Sequence, residues 1–79
     1  MEVYTSKYCK PCKILKKFLS KLKIKYREIS IDNEEGMRRF MMLGVDGIPT
    51  LVFKDGFVLE GCPRDIEVLK KLVREHEKA

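Results

Sequence analysis

Two kinds of hydrophobic pattern alternate along the chain: short apolar runs typical of strands and amphipathic stretches typical of helices. The first strand is predicted over Glu2–Thr5. A helix is predicted over Pro11–Lys23, because apolar side chains recur there at helical spacing while lysines fill the opposite face. These apolar positions are Ile14, Leu15, Phe18, Leu19 and Leu22. A second strand is predicted over Lys25–Ile31, where Ile29 alternates with polar neighbours.

The next helix begins with capping residues. Asp32 is predicted to cap it, and Glu35 three residues later completes a pattern like a capping box. Gly44 is a natural end for this helix. The side chains predicted to form its core-facing side and margin are Met37, Phe40, Met41 and Met42.

A hairpin and a last helix complete the series. Thr50–Lys54 is predicted as the third strand, and Asp55-Gly56 is a strong signal for a tight turn. Phe57–Glu60 should therefore return antiparallel. The final helix begins at about Arg64, and the side chains predicted to point from it into the core are Ile66, Leu69, Leu72 and Val73.

The element order β-α-β-α-β-β-α predicts an α/β fold. The first β-α-β unit should be a right-handed crossover between parallel strands, which the hairpin then extends. Helices should cover both faces, because Leu51, Val52 and Phe53 are apolar on both sides of their strand. We expect a four-stranded mixed sheet between helices, in one domain over residues 1–79.

Composition limits the possible classes of protein. A chain of 44% hydrophobic and 37% charged residues is typical of a globular protein, and an odd count of three cysteines argues against a disulfide scaffold. Neither a signal peptide nor a membrane-span-length run is visible, so a cytoplasmic protein without membrane contact is expected. The net charge of +5 comes with no aromatics interleaved among the lysines. Acidic protein partners are therefore favoured over nucleic acid.

The stretch Cys9-Lys10-Pro11-Cys12 carries the candidate chemistry. It lies where the first strand gives way to the first helix, whose first turn presents unpaired N–H groups and the positive end of the macrodipole. Both favour a thiolate, the reactive form of cysteine. Two intervening residues in a helical turn also bring the two sulfurs within bonding reach. The motif is therefore expected to open and close a disulfide.

Further motifs resemble known families. The segment Gly44–Gly56 (GVDGIPTLVFKDG) is similar to thioredoxins, in which Gly-Ile-Pro-Thr leads into a strand and a Lys-x-Gly turn. The short start, with Tyr4-Thr5 followed four residues on by Cys9, resembles glutaredoxins instead. The whole chain resembles the thioredoxin/glutaredoxin superfamily, as a small glutaredoxin-like thioredoxin with a thioredoxin-like fold.

The resemblance implies roles for particular residues. Cys9 would be the attacking thiol and the deeper Cys12 the resolving one. Pro49 would follow a cis peptide bond, and the backbone of Ile48 would pair with a substrate strand. The substrate-binding residues implied in all are Tyr8, Lys10, Pro11, Ile48, Pro49, Gly61 and Cys62.

The implied function is reduction of protein disulfides by a monomeric thiol-disulfide oxidoreductase. Its partners would be disulfide-containing proteins and a thioredoxin-type reductase or glutathione. It would need no metal and no other cofactor, because the electrons reside in the dithiol.

Several positions depart from the families. Tyr8 replaces the usual Trp of thioredoxins, and Val3 stands where they carry an acidic residue, for which Glu28 could substitute as a proton acceptor. Ser6 and Gly61-Cys62 replace the Lys and Gly-Gly of glutaredoxins.

Three other hypotheses remain open at this point. The first is a glutathione-dependent glutaredoxin, and the second is a dimer in which Cys9 ligates an iron–sulfur cluster. The third is a zinc site completed by Cys62 and His76. As simpler interpretations, Cys62 is a partly buried apolar residue and His76 is solvated beside a helix end.

Overall fold

The computed structural model describes residues 1–78 and contains four strands and three helices within that range. The strands are β1 (Glu2–Thr5), β2 (Arg27–Ser30), β3 (Thr50–Val52) and β4 (Val58–Glu60). The helices are α1 (Lys10–Lys21), α2 (Glu34–Met42) and α3 (Ile66–His76). The predicted order β-α-β-α-β-β-α is confirmed.

The sheet is mixed and has the strand order β2-β1-β3-β4. β1 pairs with β2 in parallel, while β3 is antiparallel to both of its neighbours. Because β1 and β2 run the same way, the loops after Thr5 and after Ser30 leave the sheet at the same edge. β3 starts at that edge and runs to the opposite one, where the hairpin predicted at Asp55-Gly56 joins it to β4.

Helices pack on both faces of the sheet, as predicted. Val3 and Leu51, which are partners in the β1–β3 register, point to the face covered by α1 and α3. The fully buried side chains that the helices contribute there are Leu15, Leu19 and Leu69. Tyr4 points to the other face and contacts Phe40 of α2, with 6.1 Å between their ring centroids. Alternate residues of β1 therefore serve two different core clusters.

Several predicted boundaries are wrong by one to three residues. α1 ends at Lys21, before the predicted Lys23, which has a positive φ of 56°. β3 ends at Val52 and not at Lys54, because the chain turns into the hairpin from Phe53 onward. α3 begins at Ile66 because Asp65 is its N-cap, with a side chain that accepts a hydrogen bond from the Val68 N–H.

The prediction that Asp32 caps α2 is wrong. Asn33 is the N-cap, and its side-chain oxygen accepts a hydrogen bond from the Gly36 N–H at 2.8 Å. Asp32 points back toward the loop that follows β1. The carboxylate is therefore free to hold a different part of the chain.

The methionines of α2 were wrongly assigned to the core. Met41 and Met42 are 70% and 82% exposed, and Met37 is also exposed. Only Gly36 and Phe40 of this short helix are buried. Gly36 lies so close to the Ser30 carbonyl that a Cβ would overlap it, which sets the side of α2 that meets the sheet. None of the helices formed by residues 1–78 is long and apolar enough to cross a membrane.

Candidate redox site

A disulfide bond joins Cys9 and Cys12 at the start of α1. Cys9 has extended backbone angles and is the N-cap of the helix, so the Cys12 N–H donates a hydrogen bond to the Cys9 Sγ at 3.2 Å. The two Cα atoms are 5.2 Å apart, within the range of ordinary disulfides. Pro11 stands in the first turn, where a missing N–H costs nothing.

The two sulfur-bearing residues differ in access to solvent. Cys12 is only 1% exposed and packs inward from the buried side of α1, whereas Cys9 is half-buried at the helix tip. An external thiol or disulfide therefore has easier access to Cys9 than to Cys12.

Asp32 holds the loop that leads into Cys9. Its carboxylate accepts hydrogen bonds from the Lys7 N–H at 2.7 Å and from the Ser6 hydroxyl at 2.8 Å. The Ser6 carbonyl in turn accepts from the Cys9 N–H at 3.3 Å. The hydrogen bond from the Lys7 backbone, followed by that from Ser6, lowers the pKa of Asp32 below its ordinary value. The side chain therefore stays ionised as an acceptor for this loop.

An open groove borders the exposed cysteine. We call it the Cys9 groove; its volume is about 540 Å³, and its lining residues are Ser6, Tyr8, Cys9, Lys10, Pro11 and Ile48. Tyr8 is 85% exposed at its margin. Four of the predicted substrate-binding residues (Tyr8, Lys10, Pro11 and Ile48) thus lie around the predicted attacking sulfur.

The loop opposite α1 is built around Pro49. The Ile48–Pro49 peptide bond is cis, as the resemblance implied. The Pro49 carbonyl accepts a hydrogen bond from the Gly61 N–H at 2.7 Å, which ties this loop to the end of β4. Within residues 1–78, no hydrogen bond uses the N–H or the C=O of Ile48. Ile48 also lines the Cys9 groove.

A second cavity lies behind the disulfide. We call it the Cys12 cavity; its volume is about 400 Å³, and it is lined by Thr5, Ser6, Lys7, Cys12, Lys13, Lys16, Glu28, Ser30 and Asp32. Glu28 accepts a hydrogen bond from the Thr5 hydroxyl at 2.7 Å and forms an ion pair with Lys16. The hydrogen bond from Lys16 is the main reason that the pKa of Glu28 is lowered.

The lowered pKa of Glu28 weakens the hypothesis that this residue acts as a proton acceptor. A general base works best when its pKa lies near the operating pH, and lowering the pKa of an already acidic carboxyl moves it away from that range. Glu28 does lie in the cavity that Cys12 lines, but its environment suits a permanent charge better than a proton acceptor.

Gly61 and Cys62 lie outside both cavities. Gly61 supports Pro49 through its N–H, whereas Cys62 packs against the core on the α1 and α3 side. The Cys62 thiol donates to the Pro63 carbonyl at 3.4 Å, and burial raises its pKa. This fits the simpler interpretation of Cys62 as a partly buried apolar residue. Its place in substrate binding stays a prediction.

His76 lies at the opposite end of the molecule. Its ring stacks on Phe57 with 4.0 Å between centroids, and its Nδ1 is 2.7 Å from an oxygen of Asp55. The expected position beside a helix end is confirmed, but the side chain is only 23% exposed because its ring stacks on Phe57. Among residues 1–78 no group of three or more His, Cys, Asp or Glu side chains could hold a metal ion.

Asp32 and Lys16 are the site residues that the sequence did not reveal. Asp32 was assigned to a helix end, and Lys16 was counted among the lysines of a solvated face. The spacing of Asp32 three residues after the buried strand residue Ile29, at the edge where the cysteines lie, is the signal that could have located it.

The mixed four-stranded sheet, the disulfide at the tip of α1 and the cis Ile48–Pro49 bond, whose Ile48 lines the groove beside Cys9, define a protein of the thioredoxin-like class. The family model for glutaredoxin matches residues 1–58, and the chain belongs to that family. With its paired cysteines it is a thiol-disulfide oxidoreductase in the general sense.

Proteins similar to this chain are named either as thioredoxins or as glutaredoxin-like proteins. A probable thioredoxin from Archaeoglobus fulgidus is 28% identical, and the match covers 95% of this chain and 86% of the relative. The glutaredoxin-like protein NrdH from Lactococcus lactis subsp. cremoris is 35% identical over 60 residues, or 75% of this chain and 82% of that protein.

Among solved structures, the thioredoxin-like protein BC3987 superimposes with a TM-score of 0.71 at 33% identity. The match covers 90% of this chain and 96% of that structure. A thioredoxin from Malassezia sympodialis gives a TM-score of 0.73 at 20% identity, covering 98% and 73% of the two chains, and shows the shared fold alone.

Proposed function

We propose that this protein reduces disulfide bonds in other proteins through the Cys9 and Cys12 dithiol. The observation that carries the proposal is the unequal exposure of the two cysteines at one helix tip. One sulfur is open to a partner, and the other is held within reach of the first.

The cycle conserves atoms and electrons. The Cys9 thiolate attacks one sulfur of the substrate disulfide, so that a mixed disulfide forms and the first substrate thiol leaves. The Cys12 thiolate then attacks the Cys9 sulfur and releases the second substrate thiol. The substrate gains two electrons and two protons, and the protein is left with the Cys9–Cys12 disulfide.

The position of Cys9 supports its role as the attacking thiolate. As the N-cap of α1, it lies at the positive end of the helix dipole and accepts a hydrogen bond from the Cys12 N–H. No acidic residue occupies the first turn of α1, where a carboxylate would oppose the thiolate charge. The Asp32 hydrogen bonds to Ser6 and Lys7 keep the preceding loop in place for this geometry.

Substrate binding is proposed for the Cys9 groove. An extended segment would hydrogen-bond to the unpaired N–H and C=O of Ile48 and so place its own disulfide beside Cys9. Tyr8 and Pro11 would supply apolar contacts, since both are exposed residues that line the groove.

The experiment is trapping of the mixed disulfide. Cys9→Ser and Cys12→Ser are each made in a Cys62→Ser parent, so that the motif supplies the only thiols. We expect the parent to accelerate insulin reduction by dithiothreitol and Cys9→Ser to lose this activity. Cys12→Ser should accumulate a covalent adduct with insulin that dithiothreitol releases. Activity in Cys9→Ser, or an adduct formed through Cys12, would contradict the proposal.

The match to the glutaredoxin family supports a second candidate, reduction of the oxidised protein by glutathione. A thioredoxin-type reductase with NADPH and glutathione with its own reductase are compared as electron sources for the parent. Faster turnover with glutathione, together with reduction of a glutathione mixed disulfide, would select the glutathione-dependent alternative.

A further inference from the structure

The positive charge of this protein is concentrated in the segment that carries the cysteines. The first 25 residues contain eight lysines and one acidic residue, Glu2, whereas the rest of the chain has nine basic and eleven acidic residues. The net charge of +5 therefore originates entirely from β1, α1 and their loops.

Three of these lysines surround the disulfide, and the two carboxylates that line the cavity beside Lys7 and Lys13, those of Asp32 and Glu28, are already held by other hydrogen bonds. Lys10 lines the Cys9 groove, and Lys7 and Lys13 line the Cys12 cavity on the other side of the same helix tip. All three are exposed, and within residues 1–78 none of them forms an ion pair. The Lys7 ammonium instead lies 5.6 Å from the centroid of the Tyr8 ring. These charges are available to a group outside the protein.

Acidic residues lie instead in and against the loop that precedes Pro49, which contributes Ile48 to the groove. The Glu60 carboxylate lies against Gly47, where a Cβ would be 3.1 Å from its Oε2. Asp46 is exposed in the same loop, two residues before Ile48. A segment bound along Ile48 would thus lie between a basic side on α1 and an acidic side on the Pro49 loop.

We propose that the preferred substrates are protein disulfides in which acidic residues flank the cysteine that bonds to Cys9. This inference rests on the proposed function and specifies its substrate class. Opposite charges steer the encounter of two proteins and raise the association rate, more strongly at low salt. The unpaired lysines would attract an acidic segment to the helix tip, while Asp46 and Glu60 would disfavour the same segment in the reverse position.

The first test compares three extended peptides that contain the same disulfide, flanked by Glu, Ser or Lys. The pre-reduced protein is mixed with each, and the second-order rate of reduction is measured at low and high salt. We expect the Glu peptide to react at least about tenfold faster than the Lys peptide at low salt, with a smaller difference at high salt. Dipyridyl disulfide, which is small and uncharged, reports the chemistry of Cys9 alone.

Charge-reversal variants test which lysines cause the difference between the Glu-peptide and Lys-peptide rates. Lys7→Glu and Lys13→Glu should each lower the ratio of Glu-peptide to Lys-peptide rates by about two- to fivefold. Lys70→Glu and Lys71→Glu are matched controls, because they change the net charge equally at exposed positions on α3 that line neither cavity. They should leave the ratio unchanged. Dividing each rate by that for dipyridyl disulfide removes any effect of the substitution on thiolate reactivity.

Three outcomes would overturn the inference. If the peptides react at equal rates, the substrate class is wrong although the proposed function stands. If the α3 reversals lower the ratio as much as those at Lys7 and Lys13, the preference for acidic peptides comes from the net charge of the protein and not from the lysines around the disulfide. If neither the peptides nor dipyridyl disulfide is reduced, the proposed function fails and the substrate class fails with it.

Discussion

Carboxylates tie loops together at both ends of the sheet. At the end that bears the disulfide, Asp32 accepts hydrogen bonds from Ser6 and Lys7. At the end that bears the β3–β4 hairpin, Asp55 pairs with the ring of His76 at the end of α3. The hydrogen bonds lower the pKa of both carboxyl groups, chiefly through the Lys7 backbone in one case and His76 in the other.

The two ends differ in what fills the space beside the carboxylate. At the hairpin end the ring of His76 stacks on Phe57, and both contact Phe53, with centroids 5.6 and 5.8 Å from its ring. Neither cavity extends to these residues. At the disulfide end Tyr8 is exposed and open space flanks both cysteines. Hydrogen bonds to the backbone thus hold the loop whose side chains stay accessible, whereas aromatic packing closes the hairpin end.

The largest stability effect expected from this comparison concerns glycine at each end. Gly36→Ala would place a Cβ against the Ser30 carbonyl, so α2 must shift away from β2 next to Asp32. We expect a loss of about 1–3 kcal/mol in the free energy of unfolding, as for other overpacked sites. Urea denaturation measures that loss, and the rate of dipyridyl disulfide reduction should fall with it because the anchor of the Cys9 loop moves.

Gly56→Ala is the matched control at the hairpin end. No heavy atom lies within 4 Å of its added Cβ, but its φ of +94° is unfavourable for alanine. We expect about 1–2 kcal/mol of destabilisation and an unchanged rate of dipyridyl disulfide reduction. A rate that fell as much as in Gly36→Ala would show that the two ends are coupled, contrary to the comparison.

The next largest difference in stability between the two ends is expected from their exposed aromatic residues, Phe57 and Tyr8. Phe57→Ala removes the ring that stacks on His76 and contacts Phe53, so the protein should lose about 0.5–1.5 kcal/mol of stability. Tyr8→Ala removes a ring that is 85% exposed and should leave the unfolding free energy nearly unchanged. Its effect should be slower reduction of insulin instead. A stability loss in Tyr8→Ala equal to that in Phe57→Ala would contradict this division of roles.

The sequence was sufficient for features determined by local pattern. The period of α1 and the Asp55-Gly56 turn gave the element order and the hairpin, because helical spacing and turn chemistry act over a few residues. The same holds for the position of Cys9 at a helix tip. These expectations needed no information about which distant residues meet.

Features decided by tertiary contacts were missed. Asp32 and Asn33 are both good helix caps, and only hydrogen bonds to residues about 25 positions earlier draw Asp32 away. Met41 has suitable helical spacing for the core, but the close approach of Gly36 to β2 turns it outward. His76 is isolated in the sequence, and its stacking on Phe57 depends on how α3 meets the hairpin.

The smallest expected effect is that of Asp32→Asn. The amide keeps one acceptor oxygen but turns an NH₂ group toward a donor, either the Lys7 N–H or the Ser6 hydroxyl. One of the two hydrogen bonds to the Cys9 loop is therefore lost. We expect dipyridyl disulfide reduction to slow by about two- to fivefold, since misplacement of a reacting group lowers its rate even when it is small.

The pH dependence of stability tests whether the charge of the Asp32 carboxylate holds the loop. Because folding lowers the pKa of Asp32 below its ordinary value of 3.8, its contribution to stability is complete above that pH and is lost as the pH falls through the lowered pKa. Thermal midpoints of the wild type and Asp32→Asn should therefore converge on acidification below about pH 4. Glu75→Gln on α3, which removes a carboxylate with no hydrogen bond or ion pair among residues 1–78, should show no such convergence. A constant difference between wild type and Asp32→Asn at every pH would mean that the charge of Asp32 does not hold the loop.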